Sequence, residues 1–394
     1  MRIVIAVVTS SEHLSGVSRH AANMARCLLM RSDVSAVHLI GAQWQYDSLR
    51  GAVPHTDARL RLHLVSIGKS VLSRNLWYYT QLPVLAEQLE ADIVHLAYPV
   101  PLKRRAFKCP TVVTLHDLYP YDIPTNFGFP KVLFNRMILQ QCLRAVDAVA
   151  CVSESTLRRL EIYSPQLVQQ KAVVIHNCVE AGLQMSARSP LPAWDGVPFV
   201  LCVAQHRHNK NIVLAMQIFQ RLLLTGEISP TTLLVIIGIE GPETARIHRS
   251  IRDADLTRHV VLLCGVDDAE LQWCYGHCKL LLAPSIVEGF GLPVVEAMLN
   301  RCRIVCSDIP AFREVGGSYC YYASLNPPAV DAFVYAVHSA LKNVKLRKAA
   351  TDRFSGTRIA GAYLRLYTRL HNGRSVLEPQ LLRSSSVIRE KGRS

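Results

Sequence analysis

The chain has 394 residues, half of them hydrophobic and 19% charged, with a formal net charge of +14. That is enough chain and enough apolar side chain for two packed domains, and it excludes wholesale disorder. The positive balance suits nucleic acid, an anionic membrane or a phosphate-bearing small molecule, and composition alone does not choose among them.

The opening MRIVIAVVTSSEHL carries an arginine and a short apolar run but no small-x-small cleavage site. It is expected to be a first buried strand rather than a signal peptide, and the protein is expected in the cytoplasm. No run of about twenty apolar residues suggests a membrane span. In the first half, strand-length runs recur: RIVIAVV, VHLIG, LHLVS, DIVHLA, TVVTLHD, DAVACVS and AVVIH. Near-continuous Val/Ile/Leu runs suit strands buried on both faces, hence a parallel sheet. Between them, VSRHAANMARCLLM and FNRMILQQCLRAV have helical amphipathic spacing.

Ligands of such sheets bind beyond the carboxyl ends of the strands, so the loops there carry the argument. After the first strand, Gly16 opens a helix, where free N–H groups suit an anion; an ordinary strand-to-helix turn is the other reading. YPVPLKRRAFK mixes aromatic and basic residues around Lys103, Arg104 and Arg105, either a solvated loop or a docking patch. TVVTLHD sets His116 and Asp117 at a strand tip, placing His116 for a substrate contact. Ser153 and Ser155 are expected to cap the helix that follows DAVACVS.

Residues 181–198 read AGLQMSARSPLPAWDGVP, a linker by composition. A second alternating series follows: FVLCVA, LLVIIG, VVLLC, KLLLAPS, RIVCSD and YCYYA. Two doubly wound α/β domains facing across a cleft are therefore expected. The loop VAQHRHNK packs His206, Arg207, His208 and Lys210 at the first strand end of the second series. There a lysine and an arginine could hold a diphosphate, one as a point charge and one as a fork. Gly238 and Gly241 mark another strand end with close backbone approach. The DAD at Asp253 to Asp255 is expected to be surface charge.

SIVEGFGLPVVEAM, from Ser285 to Met298, joins a strand to a helix with Pro293 in its first turn. Gly289 and Gly291 permit a tight loop, and the N–H groups near Gly291 and Leu292 form an anion site at the helix start. Glu288 and Glu296 would repel a phosphate but accept hydrogen bonds from vicinal hydroxyls. Hydroxyls, diphosphate and hydroxyls together describe a nucleoside diphosphate sugar. Of the twelve cysteines, Cys151, Cys202 and Cys264 are expected to pack as small hydrophobes. The pairs Cys274/Cys278 and Cys302/Cys306 lie on a helix and a strand rather than on knuckles, so core thiols are expected in place of zinc.

EGFGLPVVEA, followed by IVCSDIPAFREVGG, resembles the E-x7-E region of retaining GT-B glycosyltransferases of family 4. Gly16, TLHD, VSEST, IHNCV, NKNI, LVIIGIEGPE and FSGTRIAGAYLRLY extend the resemblance in order over nearly the whole chain. It implies a GT-B fold of two Rossmann-like domains, residues 1–180 on the acceptor side and 199–350 binding the nucleotide sugar, joined by 181–198. Residues 351–371 would form a helix crossing back to the first domain, with a basic, disordered tail at 372–394.

For the site, the resemblance implies that Glu288 contacts the donor sugar, Lys210 neutralises the leaving β-phosphate and His116 meets the transferred sugar. These are the expected catalytic groups. Phe290, Gly291 and Leu292 would offer N–H groups to the diphosphate and Glu296 would hold the ribose. Gly16, Arg207 and Gly238 complete the expected donor contacts. Ala204 and Gln205 stand where glycine and arginine are common, leaving Arg207 or His206 as the substitute cation.

No metal and no cofactor are implied beyond a GDP- or UDP-sugar donor. The expected reaction moves a sugar, mannose first, to a surface-polysaccharide or lipid-linked glycan acceptor. The basic surface would touch the anionic inner face of the plasma membrane, and no nucleic acid is expected. The alternatives are an acceptor-independent hydrolase or epimerase of nucleotide sugars, and a catalytically silent sugar-nucleotide-binding subunit.

Overall fold

The computed structural model describes residues 1–12, 14–53, 56–179, 188–191, 194, 196–343, 349–374 and 376. Most of the expected linker at 181–198 and the expected tail beyond residue 376 lie outside them. The first half begins β1 (Arg2–Ala6), α1 (Gly16–Leu29), β2 (Ala36–Ala42), α2 (Tyr46–Ala52), β3 (Leu60–Val65) and α3 (Val71–Gln88). It continues β4 (Ile93–Leu96), β5 (Thr111–Leu115), α4 (Tyr119–Asp122), α5 (Lys131–Ala145) and β6 (Ala148–Cys151). It closes with α6 (Glu154–Tyr163), α7 (Pro165–Lys171) and β7 (Ala172–Val174).

These strands form one parallel sheet in the order β3-β2-β1-β4-β5-β6-β7. The Val/Ile/Leu runs bury both faces, as the sequence requires. Ile3 and Ile5 pack with α1, whereas Val4 and Ala6 pack with Trp77 and Tyr78 of α3.

The second half repeats the plan: β8 (Phe199–Val203), α8 (Ile212–Leu224), β9 (Leu233–Ile237), α9 (Thr244–Asp253) and β10 (Val260–Leu263). Then come α10 (Asp268–His277), β11 (Leu280–Ala283), α11 (Leu292–Leu299), β12 (Ile304–Ser307), α12 (Pro310–Gly316) and β13 (Tyr321–Ala323). The sheet order is β10-β9-β8-β11-β12-β13, again parallel. After α13 (Ala329–Lys342), the helix α14 (Gly356–His371) returns to the first half. Its Ile359, Ala360, Tyr363 and Tyr367 bury themselves against α1 and the first sheet. Both sheets are thus Rossmann-like and doubly wound, facing across a cleft, as the sequence predicts.

In each sheet the strand order reverses beside its first strand, between β1 and β4 and between β8 and β11. Crevices open at such switch points because neighbouring loops leave in opposite directions. Among the described residues, no helix is long and apolar enough to cross a membrane.

One local expectation needs correction. Cys264 lies just past β10, exposed, with its thiol donating to the Gly238 carbonyl at 3.0 Å rather than packed in a core. The paired cysteines approach each other at Cys278 and Cys302, sulfur to sulfur 3.2 Å, yet no cluster of three or more metal-ligating side chains occurs among the described residues. Asp253 and Asp255 are exposed, as expected for surface charge.

Candidate active site in the cleft

The two loops at the second sheet's switch point supply the centre. The one after β8 carries Asn209 and Lys210 in a short 3-10 turn, ended by Asn211 at φ +53°. The one after β11 carries Glu288 and runs into α11. Lys210 Nζ lies 2.6 Å from Glu288 Oε1, with the side chains 17% and 8% exposed. The pair lines a small cavity with Ala204, Ser285 and Pro293.

A second donor reaches Glu288 from the other sheet: the Tyr119 hydroxyl lies 3.3 Å from Oε2. Asn209, fully buried, donates to the Tyr119 oxygen at 3.2 Å and accepts from Asn126 Nδ2 at 3.2 Å. The carboxylate is thereby oriented by both halves of the chain. The sequence offered Asn209 only as part of NKNI, and Tyr119 only as an unremarked residue after TLHD.

Gly289 is where the halves touch most closely. Its carbonyl accepts from Ser153 Oγ at 2.5 Å and Thr156 Oγ1 at 3.1 Å. A Cβ on Gly289 would stand 1.6 Å from the His116 carbonyl oxygen, so only glycine permits this approach. Ser153 also caps α6, accepting from Thr156 N at 2.9 Å. Ser155 offers its N–H, not its hydroxyl: Glu314 of α12 accepts from Glu154 N and Ser155 N at 2.8 and 3.0 Å. The same carboxylate meets His176 Nε2 at 2.8 Å, in the segment joining the halves.

Gly291 adopts φ +97° as the N-cap of α11, and a Cβ there would meet Phe312 at 2.8 Å. The N–H groups of the first helical turn lack intrahelical partners and carry the positive end of the helix dipole. Leu292 begins that turn. Phe290 is buried with its ring against His176 and Phe354, which anchors the loop on that side.

Glu296 lies one turn further on, with Oε2 accepting from Tyr275 OH at 2.9 Å. Burial raises its pKa, and the neighbouring Arg19 guanidinium opposes that rise. Arg19 comes from α1 in the first half and pairs with Asp268 at the start of α10. Gly16 begins α1 with open space where a Cβ would be, beneath the Ser15 cap that accepts from Ser18 N. Arg19 was missed in the sequence, although its position three residues into the Gly16 helix points it along the same face.

His116 directly follows β5, with Nε2 donating to the Ala97 carbonyl at 2.8 Å and its ring edge-on to His20, 4.8 Å away. Burial lowers its pKa to about 4, so the ring is neutral at physiological pH and Nδ1 keeps its lone pair. Beneath it, Thr114 Oγ1 joins His20 and His95 at 3.1 and 2.7 Å, and His95 Nδ1 reaches the Tyr367 hydroxyl of α14 at 2.6 Å. The adjacent Asp117 is raised to about 6 by burial, with Arg207 lowering it and Glu288 raising it further.

Two expectations about the phosphate loop change. His206 is 2% exposed and bonded through Nδ1 to Thr244 Oγ1 at 3.0 Å, so it is tied back and does not replace the missing arginine. Arg207 is exposed beside the cleft and stays available. The close approach at Gly238 is internal: a Cβ there would stand 1.9 Å from the Ala204 carbonyl oxygen. Gly238 thus supports the lysine loop from behind rather than facing the ligand space.

Comparison with known proteins bears on the family and the fold. Residues 14–182 match Glycosyltransferase Family 4 and residues 186–353 match Glycosyl transferases group 1. The O-antigen chain mannosyltransferase B of Escherichia coli is 24% identical over 378 residues, 90% of this chain and 94% of that protein. The O-antigen chain mannosyltransferase RfbU of Salmonella typhimurium is 26% identical over 247 residues, 62% of this chain, so the match spans only 63% of RfbU. Among solved structures, Anabaena Alr3699/HepE in complex with UDP-glucose superposes with a TM-score of 0.63 at 14% identity, over 95% of this chain and 99% of that one.

Proposed function

The chain belongs to the GT-B glycosyltransferases, its first half of the family 4 type and its second of group 1, and from that premise we propose that it transfers mannose with retention from GDP-mannose to a lipid-linked surface polysaccharide. The observation that carries the reading is the pair Lys210–Glu288 beside the free N-terminus of α11. A cation, a dipole end and a carboxylate within one cavity match a sugar diphosphate part by part. Mannose is favoured as the transferred sugar by the O-antigen chain mannosyltransferases among the relatives, and GDP is taken as the nucleotide on that ground. The acceptor-side domain would rest on the anionic inner leaflet, where such acceptors lie.

In the proposed reaction the bond from the anomeric carbon to the β-phosphate oxygen breaks, and its electron pair leaves with the diphosphate. Lys210, Arg207 and the backbone N–H groups of Phe290, Gly291 and Leu292 stabilise that developing charge, the largest electrostatic demand of the step. The acceptor hydroxyl attacks from the same face and its proton passes to the departing phosphate oxygen. Glu288, held by Tyr119, orients the sugar hydroxyls; His116 accepts from one of them through its lone pair. Glu296 accepts from the ribose. Charge is handled by fixed side chains and the helix end, with no metal required.

A nucleotide-sugar screen by thermal shift, followed by transfer with GDP-mannose to a lipid-linked acceptor, tests this. Guanosine diphosphate should raise the melting temperature by mass action, and the product anomer read by NMR should match the donor. Stabilisation by UDP alone would overturn the donor, and an inverted anomer would overturn the stereochemistry. Nucleotide release at the same rate without acceptor would indicate a hydrolase or epimerase. Binding without any turnover would indicate a silent subunit.

A further inference from the structure

A row of polar side chains crosses the apolar core between the first sheet and the helices α1 and α14. Thr114 of β5 and His95 of β4 share the sheet faces of Val112 and Ile93, which belong to that core. His20 comes from α1 and Tyr367 from α14. None of the four is more than 3% exposed.

Their contacts leave little freedom in where the protons sit. Tyr367 has one hydroxyl proton, and burial holds its pKa well above the ordinary value, so the proton stays on. It faces His95 Nδ1 at 2.6 Å and the Met24 thioether at 3.8 Å. The imidazole nitrogen is both nearer and the stronger acceptor, so Tyr367 donates to His95. Burial lowers the His95 pKa to about 3, so the ring is neutral and its single proton lies on Nε2. That nitrogen meets Thr114 Oγ1 at 2.7 Å, and the same oxygen meets His20 Nε2 at 3.1 Å. Having accepted from His95, the Thr114 hydroxyl directs its one proton to His20. His20 then carries its own proton on Nδ1. Burial lowers the His20 pKa well below its ordinary value, and the nearby Asn177 side chain opposes that. Asn177 is buried, and its Oδ1 has no hydrogen-bond partner at ordinary distance. An acceptor in need of a donor therefore lies beside the ring whose last proton the chain leaves unused.

His116 stands at the cleft end of the row. Its Nε2 faces a carbonyl, which can only accept, so its proton is on Nε2 and Nδ1 is the ring's one acceptor. The ring packs edge-on to His20, with 4.8 Å between centroids and 87° between planes.

We infer that Thr114 and His20 are positioning residues for sugar transfer: the one-way chain Tyr367–His95–Thr114–His20 holds the His20 ring, and that ring holds His116. This rests on the reading above that His116 meets the transferred sugar. A core needs no such row for stability, because buried polar networks gain little over apolar packing. What the row does fix is orientation. One ring that changed tautomer alone would set donor against donor or lone pair against lone pair, so the chain rearranges only as a unit. A group that must accept from one sugar hydroxyl needs that constancy, since small displacements at a reacting centre are costly in rate.

Long-range 1H–15N correlation spectra of the full chain, labelled at the imidazole nitrogens and taken at pH 7 without ligand, read the tautomers directly. His95 should be protonated at Nε2, His20 at Nδ1 and His116 at Nε2. Thr114→Val keeps the side chain's shape and removes its hydroxyl. It should average the His20 and His116 nitrogen shifts between tautomers, and Thr114→Ser should restore them. In transfer from GDP-mannose, Thr114→Val and His20→Phe should each lower kcat roughly 10- to 100-fold while GDP affinity, read by calorimetry, stays within about twofold. The double variant should be no slower than the slower single one, because both cut one chain. Circular dichroism checks folding, and His20→Phe serves if Thr114→Val does not fold. A His95 protonated at Nδ1, or wild-type His116 shifts in Thr114→Val, would overturn the inference. So would a folded variant with wild-type kcat, and so would a loss of GDP affinity as large as the loss of kcat, which would assign the row to core stability. A wild type that transfers nothing from GDP-mannose would count against the proposed function instead, and the spectra would then decide the role of Thr114 and His20 by themselves.

Discussion

Lys210 and Glu288 are each other's counter-ion, 2.6 Å apart and mostly buried. On the proposed function, the donor enters between them, taking its phosphate to one and its hydroxyls to the other. Removing either charge leaves its partner buried and unpaired, which costs about 3–5 kcal/mol for a fully desolvated pair and less here. Lys210→Ala should lower kcat roughly 100- to 1000-fold and also lower the urea midpoint. Adding Glu288→Gln to it should restore much of the stability and none of the activity. Equilibrium unfolding beside steady-state transfer rates checks both.

Gly289→Ala should separate the halves. The added methyl collides with the His116 carbonyl, so the loop must back away from the first domain. A displacement near 1 Å at a reacting centre costs about 100-fold in rate. Nucleotide affinity, which depends on the second domain, should change only severalfold. Calorimetric titration of the nucleotide and turnover, measured on the same sample, distinguish this from general unfolding.

Arg19 spans the cleft to Asp268 while its field reaches Glu296. Arg19→Ala should raise the donor KM roughly tenfold, equivalent to about 1.4 kcal/mol, because Glu296 loses the cation that opposes the rise in its pKa. The swap Arg19→Asp with Asp268→Arg should restore the pairing between halves but not that field. It is expected to recover thermal stability and leave KM high. A KM restored to wild type by the swap would show that pairing alone matters.

The pH dependence of stability has two opposed parts. His95 and His116 are lowered to about 3 and about 4, so the unfolded chain binds more protons between those values and 6.5. Their stabilisation is complete above pH 6.5 and is lost as pH falls through about 4, on the order of 2 kcal/mol each or more. Asp117, raised to about 6, works the other way and is relieved as pH falls from 6 to 4. Asp117→Asn should add roughly 1–3 kcal/mol at pH 7.5 and little at pH 4, whereas His95→Gln should flatten the acid limb. Urea titrations at pH 7.5, 6, 5 and 4 measure both.

Most strands were legible because they are apolar runs rich in Val, Ile and Leu and buried on both faces; β3, β10 and β13, at the sheet edges, are only partly buried, yet all of the quoted runs are strands. The segment from Glu288 to Glu296 was legible too, because two glycines, a proline and two acids at one strand end admit few local structures. What the sequence hid was tertiary. Tyr119, Asn209 and Arg19 act on groups far away in the chain, and nothing local to them marks that. His206 looked equivalent to Arg207 in a basic loop; only the fold shows that Thr244 ties it back. Gly238 signalled a close approach correctly, but a sequence does not say to what.

The helix α14 places Tyr363 and Tyr367 among the fully buried side chains of the first domain. During synthesis, the first sheet therefore waits for nearly the whole chain before its last face is covered. The two halves cannot mature one after the other on the ribosome. A chain interrupted before α14 would present Ile3, Met24 and Ala360's partners to solvent, and become a client for chaperones or proteases. Assembly of the first domain is thus tied to the synthesis of α14.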